Sequence, residues 1–77
     1  MTRVLVIEEE ESFSGALSYL LRKDGFEVAV CPTGPGALEA FERDGADLVL
    51  LDLMLDGPPG TEVCRSLRRR SDVPVIC

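Results

Sequence analysis

The sequence predicts an α/β fold built on an open parallel β-sheet. Four short segments are rich in branched apolar residues, as buried strands are, and amphipathic helical patterns separate them. Strands that alternate with helices in this way are joined as parallel strands by right-handed crossovers. The order β-α-β-α-β-α-β therefore predicts one four-stranded domain, and a chain of 77 residues has room for only one.

The predicted strands share a short run of apolar, mostly β-branched residues, and they lie at 3–7, 26–30, 47–51 and 73–77. Pro74 has no backbone N–H, which indicates that it begins the fourth strand or lies on an edge of the sheet. The sequence ends within that strand, whereas an open parallel sheet needs helices on both faces. We therefore expect residues 1–77 to form a domain that is incomplete at its C-terminus, with only the first helix covering one face.

The three helices are predicted from apolar stripes. In the first helix the stripe ends before Gly25, a residue suited to a C-terminal cap, and its members are Phe13, Leu17, Leu20 and Leu21. The second helix carries Leu38 and Phe41, with Pro35 suited to its first turn. The third begins near Gly60 and runs into arginines, and its apolar positions are Val63, Cys64 and Leu67.

Composition indicates an ordinary globular protein, with 45% hydrophobic and 29% charged residues. The formal net charge of −6 argues against a surface that binds nucleic acid as a whole, because phosphate contacts need positive charge where they form. The same charge is compatible with a cation site. The first apolar run is too short for a signal peptide or a membrane span. We expect a cytoplasmic protein whose residues here contact neither nucleic acid nor a membrane.

The three cysteines, Cys31, Cys64 and Cys77, form no CxxC pair. Three thiols cannot all pair within one chain, so the sequence predicts neither a zinc site nor a disulfide framework. Free cysteines behave as small apolar residues. We therefore expect these three in the core, in a reducing compartment.

The stretch LVLLDLML, residues 48–55, is apolar at every position except Asp52. A carboxylate in such a run costs free energy unless a partner compensates it. Glu8 and Glu9 directly follow the first strand, and Asp52 follows the third. Because parallel strands bring their carboxyl ends to one edge of the sheet, these three carboxylates converge if the two strands are neighbours, about 4.8 Å apart.

Converging carboxylates suggest a site for a hard cation. Two such charges about 6 Å apart repel by roughly 3 kcal/mol at an effective dielectric constant of about 20. Magnesium relieves that repulsion and prefers carboxylates together with water and phosphate oxygens. A carboxylate beside such an ion can attack a phosphoryl group and form an aspartyl phosphate. Alternatively, Asp52 only begins a turn and the acids at 8–11 favour a helix N-terminus. The pattern alone leaves both interpretations open.

Three stretches resemble the receiver domain of bacterial two-component response regulators: VLVIEEEES, LLRKDGFEV and GADLVLLDLMLDGPPGTEVCRSLR. They look most like the OmpR/PhoB type, which carries a winged-helix DNA-binding domain. The resemblance runs through all 77 residues and implies the flavodoxin-like topology of that family. It also implies a phosphoacceptor module of a two-component phosphorelay, not an enzyme, acting upstream of a transcription-regulator domain.

The resemblance assigns roles position by position. Asp52 corresponds to the aspartate that accepts phosphate from a sensor histidine kinase. Glu8 and Glu9 correspond to the acidic pair that binds Mg²⁺, and the further ligands are Asp52 itself and the backbone carbonyl of Met54. The implied partner is thus the kinase, and the bare edge of the fourth strand is a template for a homodimer.

Three features depart from the family pattern. Glu9 stands where the family has aspartate, and its extra methylene moves the carboxylate by about 1.5 Å, so we expect weaker or water-mediated magnesium binding. Asp56 occupies the usual proline position of the following loop and adds negative charge there. The family's switch threonine or serine and its phosphate-clamping lysine follow later strands. Lys23 is the only lysine here, and we expect it at the far end of the first helix.

Other readings of the sequence compete with these assignments. The chain could instead be an interaction or dimerisation fragment without phosphotransfer activity. GPGALE, at 34–39, has two glycines of a dinucleotide-binding loop but is better interpreted as a helix start. Arg65 and the arginines at 68–70 could form a basic patch for an acidic partner. A helix dipole favours cations in the last turn, however, so the pattern favours a solvated helix end.

Overall fold

The computed structural model describes residues 1–77 and contains four strands and three helices in strict alternation. The strands are β1 (Arg3–Ile7), β2 (Glu27–Cys31), β3 (Leu48–Leu51) and β4 (Val75–Ile76), and the helices are α1 (Glu11–Lys23), α2 (Gly34–Asp44) and α3 (Gly60–Arg70). All strand pairs are parallel, in the order β2-β1-β3-β4. The predicted open parallel sheet of flavodoxin-like topology is confirmed. None of the three helices has the length and apolar character needed to span a bilayer.

Strand β1 has its predicted bounds, whereas β2 and β3 begin one residue later than predicted and β4 two residues later. Before β2, the N–H of Phe26 donates to the carbonyl of Leu21 at the end of α1, at 3.1 Å. Before β4, Pro74 has no N–H, and the N–H of Val73 donates to the hydroxyl of Ser71 at 3.1 Å. These local hydrogen bonds use donors that a sheet ladder would need, so each strand starts after them.

Side chains of β1 alternate between two cores, because successive residues of a strand point to opposite faces. Leu5 and Ile7 belong to the larger core, which lies under α2 and α3 and also contains Ala37, Val49, Leu51, Val63, Leu67 and Val73. Val4 and Val6 belong to a smaller core with Val28, against which α1 packs. The expectation that α1 alone covers this second face is confirmed.

Helix α1 buries half of the predicted stripe. Leu17 and Leu21 pack against the smaller core, but Phe13 and Leu20 are 57% and 58% exposed. Ser14 and Ser18 are buried in their place, and each hydroxyl donates to a carbonyl of the preceding turn. Because these hydroxyls are hydrogen-bonded, their burial carries no unpaired polar group. The predicted burial of Phe13 and Leu20 is therefore wrong.

Gly25 caps α1 as predicted, and α2 has a further cap at Thr33. Gly25 has φ 93°, and its N–H donates to the carbonyl of Arg22 at 3.0 Å, as in a Schellman motif. At the start of α2, the Thr33 hydroxyl accepts a hydrogen bond from the N–H of Gly36 at 3.1 Å. Such caps satisfy backbone groups that the helix itself leaves unpaired.

An apolar groove of about 500 Å³ lies open beside α1. Phe13 and Leu17 line it from α1, Leu50 lines it from β3, and Ile76 lines it from β4. Exposed side chains at this groove include Phe13 and Ile76. One face of the sheet thus presents apolar surface to solvent next to the acidic edge.

The cysteines are all free. Cys31 and Cys64 are half-buried and pack against the larger core, which confirms their predicted role as small apolar residues. Cys77 is exposed, so its predicted burial is wrong.

Candidate functional site

The carboxyl ends of β1 and β3 lie side by side at one edge of the sheet. Ile7 pairs with Leu51 in the parallel register, so Glu8 and Asp52 are the next positions on neighbouring strands. The N–H of Asp52 extends the ladder by donating to the carbonyl of Ile7 at 2.9 Å. The prediction that the first and third strands are neighbours is confirmed.

Asp52 is half-buried and forms the turn that follows β3. Its Oδ1 accepts a hydrogen bond of 3.0 Å from the N–H of Met54, the local contact by which aspartate mimics a backbone turn. Its second oxygen, Oδ2, accepts no hydrogen bond from the protein. The carboxylate is therefore oriented by one oxygen and open to a ligand at the other.

Backbone N–H groups also hold the two glutamates after β1. Glu8 is half-buried, and its Oε2 accepts from the N–H of Glu10 at 3.0 Å. Glu9 is exposed, and its Oε1 accepts from the N–H of Asp56 at 2.9 Å. The second contact joins the loop after β1 to the loop after β3. Each glutamate keeps one carboxylate oxygen without a hydrogen bond.

The three carboxylates do not form a ready-made metal-binding group. No three acidic or cysteine side chains of the chain lie close enough together to hold a metal ion. In this conformation the three carboxylates form no metal-binding group, although the strands that carry them are neighbours, and their role as magnesium ligands stays a prediction. The physical reason is that Glu8, Glu9 and Asp52 each turn toward a nearby N–H group.

The donor set at this edge nevertheless has the chemistry of a magnesium site. Carboxylate and carbonyl oxygens are the hard ligands that Mg²⁺ prefers, and magnesium usually takes one or two carboxylates and keeps several waters. Glu8, Glu9 and Asp52 each offer a free oxygen, and Met54 lies in the exposed turn directly after Asp52. The residues fit the ion in type, and their side chains must reorient to surround it.

Two other charged residues occupy the places expected from the sequence. Asp56 is exposed in the loop after β3, where its N–H, not its carboxylate, makes the contact with Glu9. Lys23 is the last residue of α1, whose first residue is Glu11 beside the acidic edge. Thirteen helical residues span about 20 Å, so Lys23 lies at the far end of the helix.

Gly60 is a site residue that sequence reasoning treated only as a helix start. A Cβ at this position would lie 2.5 Å from the Cα of Leu53 and 2.7 Å from the carbonyl oxygen of Asp52. The first turn of α3 thus packs directly against the backbone that carries Asp52. The sequence shows only a glycine at the start of the predicted helix. The backbone that it contacts, at Asp52 and Leu53, lies eight and seven positions earlier, so local sequence patterns do not reveal this contact.

Comparison with known sequences identifies relatives of the chain. The model of the family described as "Response regulator receiver domain" matches residues 4–77. Sensory transduction protein RegX3 of Mycolicibacterium smegmatis is 62% identical over 76 residues, covering 99% of this chain and 33% of RegX3. DNA-binding response regulator MtrA of Mycolicibacterium paratuberculosis is 46% identical over 74 residues, covering 96% of this chain and 33% of MtrA. The chain spans about a third of the length of these curated relatives.

Solved structures share the fold. The BeF3-activated receiver domain of Klebsiella pneumoniae RstA superposes with a TM-score of 0.92 at 34% identity, over 96% of this chain and 63% of that one. TrrA in complex with the histidine kinase ThkA superposes with a TM-score of 0.91 at 32% identity, over 97% of this chain and 66% of that one. Thermotoga maritima TrrA in complex with Mg²⁺-BeF superposes with a TM-score of 0.88 at 32% identity, over 92% of this chain and 62% of that one.

The resemblance to OmpR/PhoB-type regulators agrees with all of these matches. The matched region begins in β1 and includes both the acidic edge and the turn at Asp52. The four strands and three helices superpose on the matched solved structures over at least 96% of the chain. The chain belongs to the response regulator receiver domain family of two-component signalling proteins.

Proposed function

We propose that Asp52 is the phosphoacceptor of this receiver domain and that a sensor histidine kinase supplies the phosphoryl group. One observation carries the proposal: Asp52 directly follows the β1–β3 pairing, with Oδ1 held by Met54 and Oδ2 free. The similar protein TrrA was solved in complex with a histidine kinase, which supports the choice of partner. Membership of the family favours this function over an interaction fragment without phosphotransfer.

The proposed transfer is a nucleophilic displacement at phosphorus. A bond forms between Oδ2 of Asp52 and the phosphorus atom, and the bond from phosphorus to the donor's imidazole nitrogen breaks. That nitrogen leaves with the bonding electron pair and takes up a proton. The hydrogen bond from the Met54 N–H to Oδ1 holds the carboxylate in one orientation, so that little freedom is lost when the donor arrives.

We infer that Glu8, Glu9, Asp52 and the carbonyl of Met54 would hold a magnesium ion. When bound, the ion supplies positive charge for the oxygens of the transferring phosphoryl group. The Mg²⁺-BeF complex of the similar protein TrrA supports this inference. Within this chain, Glu8 and Glu9 hold their free oxygens at the same sheet edge as Asp52, which supports it independently.

We also propose that residues 1–77 are part of a larger receiver domain in a longer transcription regulator. The open groove beside α1 supports this, because exposed apolar side chains such as Phe13 and Ile76 gathered at one groove are typical of a surface that another segment covers. The curated relatives are about three times as long, and one of them is named a DNA-binding response regulator. All three thiols are free, which suits a reducing, cytoplasmic compartment.

Intact-mass measurement tests the phosphoacceptor. Incubation with acetyl phosphate and Mg²⁺ should add the mass of one phosphoryl group to the protein, and Asp52→Asn should abolish the addition. Asp56→Asn is the matched control, because it makes the same chemical change in the exposed loop four positions later and should keep the addition. Phosphorylation that persists in Asp52→Asn, or that is lost equally in Asp56→Asn, would refute the assignment.

A further inference from the structure

The arginines of α3 have two different environments. Arg70, at the end of the helix, forms an ion pair with Glu42 of α2. Arg65 and Arg69 take part in none of the ion pairs of the chain. Both line a groove of about 350 Å³ between α2 and α3. Because they are four residues apart on one helix, their side chains lie on the same face.

The groove combines these two cations with apolar surface. Its wall from α2 contains Pro35 and Leu38, and the loop before α3 adds Pro58. Glu62, in the first turn of α3, is the one acid that lines it. The groove thus has an acidic end near the start of α3 and a basic end near Arg69. None of the proposed phosphorylation-site residues lines it.

The helix dipole explains only part of the arginine cluster. Four of the eight basic residues of the chain lie between positions 65 and 70, although the net charge is −6. Arg68, Arg69 and Arg70 occupy the last turn, where the dipole favours cations. Arg65 lies more than one turn before the end of α3, beyond the reach of that effect. A solvated helix end therefore does not account for Arg65 or for the groove that it lines.

We propose that this groove, between α2 and α3, is a docking surface for an acidic peptide segment of a partner protein. Two carboxylates of the segment bind Arg65 and Arg69, and an apolar side chain between them contacts Leu38. The guanidinium group presents a planar fork that matches a carboxylate, and arginine is among the residues that most often carry a large share of the binding energy of an interface. Glu62 repels carboxylates at its end, so it sets the direction in which the segment lies.

Charge complementarity favours a peptide over a nucleic acid. A nucleic acid backbone is bound by several cations that follow its phosphates. The groove offers two unpaired arginines next to Glu62, on a chain of net charge −6. Two cations in a groove that also has apolar lining match a short acidic and apolar motif instead.

Fluorescence anisotropy with a labelled peptide tests the proposal. The probe is a short helical peptide with two glutamates one turn apart and a leucine between them, and the matched peptide carries glutamine in place of glutamate. At physiological ionic strength, where the screening length is about 8 Å, the glutamate peptide should bind at least about tenfold more tightly than the glutamine peptide.

Charge reversals within α3 locate the binding. Arg65→Glu and Arg69→Glu should each weaken binding about tenfold or more, because each removes a charge-assisted contact and adds a repulsive one. Arg68→Glu makes the same change on the same helix but outside the groove, so it should stay within about twofold of wild type. Circular dichroism confirms that each variant is folded, and Arg69→Gln repeats the test without adding a negative charge.

Three results would overturn the proposal. Equal losses of peptide affinity in Arg65→Glu and Arg68→Glu would show that binding depends only on the overall charge of the protein. Displacement of the peptide by inorganic phosphate at equal concentration would identify a general anion site. Binding of a single-stranded oligonucleotide that Arg65→Glu abolishes, without binding of the glutamate peptide, would assign the groove to nucleic acid.

Discussion

The carboxylate of Glu9 accepts a 2.9 Å hydrogen bond from the backbone N–H of Asp56, 47 positions further along the chain. This contact ties the loop after β1 to the loop after β3 across the acidic edge. Glu9 is also a proposed magnesium ligand, and the loop that it holds follows Asp52 and Met54. The observed hydrogen bond and the proposed metal ligation would therefore compete for one carboxylate.

Shortening Glu9 should strengthen magnesium binding. Glu9→Asp removes the methylene that lets the carboxylate reach the N–H of Asp56, so this hydrogen bond no longer competes with the ion. A net hydrogen bond contributes about 1 kcal/mol, which corresponds to roughly fivefold tighter binding of Mg²⁺. Titration calorimetry measures the dissociation constant of each protein.

Glu10→Asp is the control for this prediction. It removes the same methylene from the neighbouring residue, whose carboxylate accepts from the Ser12 hydroxyl and is not a proposed ligand. Its magnesium affinity should equal that of the wild type. Identical affinities of Glu9→Asp and the wild type would mean that the Glu9–Asp56 contact does not oppose metal binding.

An alanine at position 60 should destabilise the fold. The new Cβ would lie 2.5 Å from the Cα of Leu53, which is backbone and cannot turn away. Overpacking of this kind costs about 1–3 kcal/mol of unfolding free energy, measured by urea denaturation.

Gly15→Ala supplies the contrast. Nothing lies within 4 Å of a Cβ at Gly15, which is exposed within α1. Alanine there should raise the unfolding free energy by about 0.5–1 kcal/mol through its higher helix propensity. A Gly60→Ala variant as stable as wild type would show that α3 can shift away from the turn at Asp52.

Loss of the α2 cap should lower the free energy of unfolding by about 1 kcal/mol. The Thr33 hydroxyl accepts the N–H of Gly36, and Thr33→Ala leaves this donor without its side-chain partner. Thr61→Ala is the matched control, since Thr61 is exposed at the start of α3 and makes no side-chain hydrogen bond. Thermal and urea unfolding should separate the two variants, and equal stabilities would contradict a capping role for Thr33.

The cysteines should differ in their rates of alkylation. Burial raises the pKa of the Cys31 thiol above its usual value of 9.0, and the positive charge of Arg43 opposes this only in part. A raised pKa leaves less thiolate at pH 8, and the thiolate is the species that reacts. Iodoacetamide followed by peptide mass spectrometry should therefore modify exposed Cys77 well before Cys31. Raising the pH above 9 should bring the alkylation rates of Cys31 and Cys77 closer together. Equal alkylation rates of the two cysteines at pH 8 would show that Cys31 is accessible as thiolate.

Local pattern predicted most of the fold. The four apolar segments became parallel strands, and Gly25 and Gly60 lie at the helix boundaries predicted for them. The pattern was less informative for α1, where Phe13 is exposed and Ser14 is buried. Periodicity ranks residues by hydrophobicity, whereas close packing against a sheet also rewards small side chains whose hydroxyls are bonded within the helix. Sequence periodicity therefore could not distinguish the face of α1 that carries Ser14 from the face that carries Phe13.

The order of strands and helices, and the placement of Glu8, Glu9 and Asp52 at strand ends, followed from the sequence by itself, because hydrophobic periodicity and turn residues act over a few positions. Only the tertiary structure decided which carboxylate oxygens accept hydrogen bonds, that Glu9 accepts one from the N–H of Asp56, and which arginines of α3 form ion pairs. Those contacts join segments far apart in the chain. They depend on the relative placement of loops and helices to within about an ångström, the scale on which hydrogen bonds form or fail.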